Sequence, residues 1–277
     1  AGVIHINLFA DIIMASYLDH GSISYLYYAD RLNQLPLGIV GIAVGTALLP
    51  MLSRAMMKDD PKEAQTLFSR ALEYCLLLAL PAAVALAVIP HTIITVLFER
   101  GAFTAADSMI TANVLSGYAL GLPAYIVVKV FSTAHWARED TKTPVRISVI
   151  ATILNIVLSL IFIQFFGVIG IAYGTGITAW LQVVLHMRAL KNHPSAHFDH
   201  KFKLNFPKII GSACVMGGGV YILSTLLEDI IFGDGQALKI MALMMVILAG
   251  SLLYFACIIG SGAIRLSDIK RYLVKRP

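Results

Sequence analysis

The feature that most constrains this chain is its succession of long apolar runs. A bilayer-crossing helix needs about 20 mostly apolar residues. Eight such runs follow one another, at roughly 1–18, 24–52, 71–97, 106–134, 146–165, 168–187, 207–227 and 238–260. None alternates apolar and polar residues as a barrel strand does, so each reads as helix. The expected fold class is all-α, a polytopic membrane protein with about eight transmembrane helices. Only 13% of the residues are charged and 58% are hydrophobic, whereas a soluble domain has about 25% charged residues. The chain opens Ala-Gly-Val, without Met and without a basic segment before the first apolar run. It is therefore expected to be a piece of a longer protein, with no signal peptide in view.

The charges are distributed unevenly around the runs. Seventeen of the 21 Lys and Arg residues fall at 54–70, 138–146, 188–208 and 265–276, and only Arg100 and Lys239 lie in the intervening loops. The positive-inside rule then places the carboxyl terminus in the cytoplasm. It places "LDHGS", "FERGAF", "FFGVIG" and "EDIIFGDGQ" outside. Because the basic residues sit between apolar runs, the net charge of +5 is a topology signal, and no nucleic-acid partner is expected. Cys75, Cys214 and Cys257 lie inside apolar runs, without the spacing of a zinc site or disulfide framework. "DDPKEAQTLF" has helix-start chemistry and is expected to begin a short interfacial helix. Thr104 and Asp107 mark another helix start. The tail "LSDIKRYLVKRP" suits an anionic membrane surface or an ordinary solvated end.

Polar residues inside the runs are candidates for function, since a charge at mid-membrane costs at least about 2.5 kcal/mol. Arg31 stands near one end of the second run. It reads either as a snorkelling or structurally paired side chain or as an anion clamp, because guanidinium holds phosphate oxygens in a bidentate fork. Asp30 shares no face with it and is free to hold a neighbouring helix. Pro36, Gly38, Gly41 and Gly45 permit bending or close approach. Asp11 lies mid-run with His5 and Asn7 nearby, Asn155 and Ser159 share one helical face, and Thr175 follows in the sixth run. Each has an ordinary structural reading, and together they offer oxygens to a small cation. Lys129 reads as snorkelling. "HPSAHFDH" reads as a short loop rather than a metal site, and "MGGG" at 216–219 as tight packing or a groove for an acyl chain. No phosphate loop, Cys-His pair or Ser-His-Asp set is present, a pattern that suits a transporter better than an enzyme.

Two stretches carry a resemblance. "SYLYYADRLNQLPLGIVGIAVGTALLPMLSR" closely resembles the signature region of MurJ-type (MviN) lipid II flippases. "VVKVFSTAHWAREDTKTPVRIS" is similar to a second stretch of that family. The likeness extends along the chain, strongest at 21–54 and 125–148 and weakest after about 200. The family belongs to the multidrug/oligosaccharidyl-lipid/polysaccharide exporter superfamily, whose members here have fourteen helices. The resemblance implies that residues 1–190 form the second six-helix lobe, and 191–277 a loop, two further helices and a basic tail. It implies flipping of lipid II, the undecaprenyl-pyrophosphate-linked disaccharide-pentapeptide, to the outer leaflet of the bacterial inner membrane. It places Arg31, with Asp30 and Ser24, at the substrate. It also suggests a sodium site of Asp11, Asn155, Ser159, Thr175 and the Ile171 carbonyl. Ser159 stands where the sodium-binding pattern has a second aspartate, and Gln34 where the family is often acidic. Lipid II, membrane lipids and a weakly held sodium ion are thus the expected partners, with no other cofactor. An exporter of another polyprenyl-linked glycan or of drugs is the alternative, followed by a membrane enzyme acting on polyprenyl lipids.

Overall fold

A computed structural model describes residues 2–43, 49–57, 61–193, 196–233 and 235–263. The basic tail "LSDIKRYLVKRP", Gly45, Asp60 and the side chain of His5 lie outside what it describes. Every regular element among the described residues is helical. In chain order they are α1 (Gly2–Ser16), α2 (Ser22–Ala43), α3 (Leu49–Met57), α4 (Pro61–Val88), α5 (Pro90–Phe98) and α6 (Ala105–Trp136), then α7 (Lys142–Phe166), α8 (Val168–Leu190), α9 (His200–Leu226), α10 (Glu228–Ile231) and α11 (Gln236–Gly260).

Six of these helices, α4, α6, α7, α8, α9 and α11, are long and apolar enough to cross a membrane. The first two expected spans are not among the six, and each runs beyond the described residues, which begin at Gly2 and leave out 44–48. Helix α1 has 15 residues, and α2 carries Asp30, Arg31, Asn33 and Gln34 along its middle. The expected third span also differs. Pro61 opens no separate interfacial helix: α4 runs unbroken from it for 28 residues. The span then breaks at Ile89, because Pro90 lacks the N–H that would continue α4 and instead starts α5. The Thr104 start is as expected, with a complete capping box between Thr104 and Asp107.

Helix α6 is the axis of the bundle. It is the most buried of the membrane-length helices and packs on α2, α4, α5 and α8. Helix α7 shows the opposite pattern. Its buried residues, Pro144, Ile147, Ala151, Asn155 and Ser159, form one seam three and four apart along the helix. Ile153, Val157, Leu160, Ile161 and Phe165 project outward to the lipid. Along the middle of α7 the polar Asn155 and Ser159 are thus inside and large apolar side chains outside, as a bilayer solvent requires.

Helices α9 and α11 pack on each other and against α4 and α5. The glycines at 217 and 219 are tight-packing positions. A Cβ at Gly217 would stand 2.5 Å from Val84, and one at Gly219 2.5 Å from Leu253, whereas Gly218 faces open space. A polar clasp closes the end at which α4 and α9 begin. Arg70 bridges Glu73 and Asp199, and Asn205 donates to Glu73 and to the Ala263 carbonyl. Asp199 also caps α9 through the Phe202 N–H, at 2.7 Å. The histidine-rich loop is part of this structure. His193 meets Arg138, His197 meets the Lys191 carbonyl, and no metal-holding cluster occurs among the described residues.

Candidate functional site

Between α1, α2, α6, α7 and α8 lies a cavity of about 330 Å³. Helical spacing explains its polar lining. Tyr27, Asp30 and Gln34 follow one another at three and four residues on α2, and Tyr118 and Tyr125 stand seven apart on α6. Ser148, Thr152 and Asn155 come from α7, Thr175, Thr178 and Gln182 from α8, and Asn7 and Asp11 from α1. The sequence reading singles out Asn7, Asp11, Asp30, Asn155 and Thr175 but not the tyrosines, Gln182 or Thr178. The signal for these was present as weakly polar residues repeating at helical period, and it is faint because each alone is common in a packed helix.

A short chain of hydrogen bonds fixes the orientation of Asn155. The Thr175 hydroxyl donates to the Ile171 carbonyl at 2.8 Å. Having given its only proton, Thr175 Oγ1 must act as acceptor toward Asn155, whose Nδ2 approaches at 3.0 Å. The amide is thereby held with Oδ1 free, and that oxygen is buried without a partner. Asp11 Oδ1 and Asn7 Oδ1 are likewise buried and unpartnered. Three of the five suggested sodium-site residues, Asp11, Asn155 and Thr175, line the cavity, with the Ile171 carbonyl directly behind Thr175. Ser159 lies on the same seam of α7, one turn on from Asn155, but faces Gly174 of α8 and does not line the cavity. Its Oγ is fully enclosed and has no partner.

The three proposed substrate residues of α2 are separated by the helix. Asp30 lines the cavity and accepts a hydrogen bond from Gln34, which takes a polar rather than repulsive role beside it. Ser24 is exposed and outside the cavity lining. Arg31 is exposed, makes no salt bridge among the described residues, and lies over the Tyr27 ring at 4.7 Å. Since Tyr27 also lines the cavity, Arg31 sits at its rim. Lys129 does not simply snorkel. Its ammonium reaches from α6 to donate to the Leu37 carbonyl of α2 at 3.2 Å.

A helical bundle with lipid-facing apolar surfaces, an internal polar cavity and a cation at its rim has the form of a multi-pass membrane transporter. The family model for the lipid II flippase MurJ matches residues 1–251, and the chain belongs to that family. It is 37% identical to a probable lipid II flippase MurJ of Rhizobium tropici, over 100% of this chain and 52% of the relative. It is 35% identical to one of Vibrio cholerae, over 97% of this chain and 51% of the relative. The chain therefore spans about half the length of the curated relatives it matches. Among solved structures, a lipid II flippase MurJ in an inward closed conformation matches at TM-score 0.76 and 31% identity, over 99% of this chain and 52% of the other. A MATE transporter matches at TM-score 0.56 and 18% identity, over 94% and 62%, which shows a shared fold alone. The chain is thus part of a multi-pass bacterial membrane protein.

Proposed function

We propose that this chain is the carboxy-terminal half of a lipid II flippase, which carries the undecaprenyl-pyrophosphate-linked disaccharide-pentapeptide from the cytoplasmic to the outer leaflet of the inner membrane. Residues 1–190 form the transport lobe, and 191–277 add the α9–α11 pair and a cytoplasmic tail. The observation that carries this reading is Arg31, an exposed guanidinium that makes no salt bridge among the described residues and is set at the mouth of a polar cavity. A pyrophosphate offers the oxygens its fork is shaped for. The head group cannot cross hydrocarbon unaided, so transport proceeds by alternating access, with the cavity presented to one side at a time. In this mechanism Arg31 holds the pyrophosphate at the rim and leaves the sugar and peptide to the cavity. The prenyl chain stays in lipid.

The residues around Asp11 fit a sodium ion only in part. Asp11 and Asn155 each offer a free oxygen, whereas Thr175 Oγ1 is already engaged twice and Ser159 faces α8. Sodium, where bound, would be held by Asp11 and Asn155 and would neutralise the buried carboxylate. The test of the function is lipid II translocation in vesicles containing the full-length protein. Accessibility of lipid II in the far leaflet should depend on the protein. Drug efflux without lipid II movement would replace this reading with that of a drug exporter.

A further inference from the structure

We propose that the cavity receives an ammonium group borne on the hydrophilic part of the substrate, so that the ligand is held by opposite charges, Arg31 at the rim and the carboxylates within. This rests on the flippase reading and adds the chemistry of the second contact. Asp11 is 7% exposed and Asn155 2%, and both present an oxygen without a donor. Asn7 adds a third such oxygen. Buried acceptors left unmatched are costly. The Asn155 oxygen cannot be exchanged for its NH₂ by turning the amide, because Thr175 requires the donor on its own side. Among the described residues no Lys or Arg lines the cavity to supply the missing protons.

The ligand that answers this set carries several donors, a positive charge and no acceptor at the point of contact, which is the description of –NH₃⁺. Tyr118 and Tyr125 put aromatic rings in the wall and Asp30 adds a second carboxylate, all of which favour a cation. A lone ion would satisfy the charge, but a volume of about 330 Å³ is that of a small-ligand pocket. It has room for the body that bears the amine. Tyr27 joins the two sites: it lines the cavity and its ring carries the Arg31 guanidinium. A substrate with an anionic linkage and an amine-bearing arm therefore meets the cation first at the rim and the carboxylate beyond it. A ligand without the amine meets only half of the arrangement.

The probes are two lipid II preparations with lysine in the peptide, one with the side-chain amine free and one with it acetylated. Binding to full-length protein in detergent is measured in choline buffer, free of sodium. The free-amine lipid is expected to bind about tenfold tighter or better, the difference a charged hydrogen bond makes. Asp11→Asn should remove that preference, bringing the two lipids to equal affinity. Replacing choline with sodium should weaken the free-amine lipid selectively, because the two cations compete. Equal affinity for the two lipids in the unaltered protein would overturn the proposal, and so would a preference that Asp11→Asn leaves intact. If Asp11→Asn does not fold, the comparison of the two lipids on the unaltered protein decides. Binding of neither lipid would remove the flippase reading itself and this inference with it.

Discussion

The phenol of Tyr254 on α11 donates to the backbone carbonyl of Leu77 on α4 at 2.7 Å. That carbonyl is available because residue 81, four positions on, is proline and has no N–H to return to it. Tyr254 is 2% exposed. The bond therefore satisfies, from another helix, an acceptor that the proline leaves orphaned inside the bundle. It also ties the terminal helix pair to the transport lobe. Tyr254→Phe should cost about 1–3 kcal/mol, the penalty for an unmatched buried acceptor. Pro81→Ala restores the intrahelical donor, so the double variant should recover most of the loss. Chemical denaturation of the four proteins in detergent gives the coupling. Additive effects of the two substitutions would show that Tyr254 and Pro81 act independently.

Much of the bundle is legible in the sequence because lipid-facing helices must be apolar over a fixed length, which α6, α7, α8, α9 and α11 obey. The failures lie where another constraint competes. Helix α2 buries one polar face in the protein, so its hydropathy falls below that of a lipid-exposed span. Pro90 divides α4 from α5, but Pro36, Pro81, Pro123 and Pro207 stay within their helices. The sequence does not distinguish these cases, since partners such as Tyr254 come from elsewhere in the chain. At the site, Asp11, Asn155 and Thr175 stand out as polar residues in apolar runs and do meet. Ser159 shares the α7 face with Asn155 but is one turn removed, at a place where α8 has Gly174 and approaches too closely to leave a cavity.

Arg31 is expected to be required for transport and dispensable for folding, since it is exposed and makes no salt bridge among the described residues. Arg31→Ala in the full-length protein should abolish lipid II translocation at normal protein levels. Arg31→Lys should also be poorly active, because a point charge lacks the planar fork. Undiminished translocation by Arg31→Ala would remove it as the clamp.

Orientation follows from the basic loops. A cysteine introduced at Gly233 should react with an impermeant thiol reagent applied from outside, and one at Lys191 should not. Both positions lie outside the six membrane-length helices. Labelling only at 191 would invert the topology and the direction of transport with it.

Asp140 joins the end of α6 to the start of α7. Burial opposes its charge, but donors on Thr143 and His135 outweigh burial and hold the carboxyl down at about 2. The folded value is below the ordinary 3.8, so the charge stabilises the fold above that value. Its contribution is lost as pH falls through about 2. Thermal unfolding in detergent between neutral pH and pH 2 should show the unaltered protein losing its advantage over Asp140→Asn in that acid window. Parallel curves for the two proteins would show that Asp140 contributes nothing through its charge.

Sodium affinity is the remaining test of the cavity. Asp11 is the one formal negative charge among Asp11, Asn155, Ser159 and Thr175, and two of the four have their oxygens turned away or already bonded. Two free oxygens are few for a hard cation that prefers a fuller oxygen shell. Weak sodium binding is therefore expected, and Asp11→Asn should abolish it. Ser159→Asp should strengthen it only if the longer side chain clears Gly174, where a Cβ would already lie 2.6 Å from Ser159 Oγ. The carboxylate would have to extend along α7 toward Asn155, one turn away. Calorimetric titration of sodium into the three full-length proteins, with potassium as the control, measures each step. Tight sodium binding in the unaltered protein that survives Asp11→Asn would place the ion elsewhere, and leave the unpartnered oxygens of this cavity to the substrate alone.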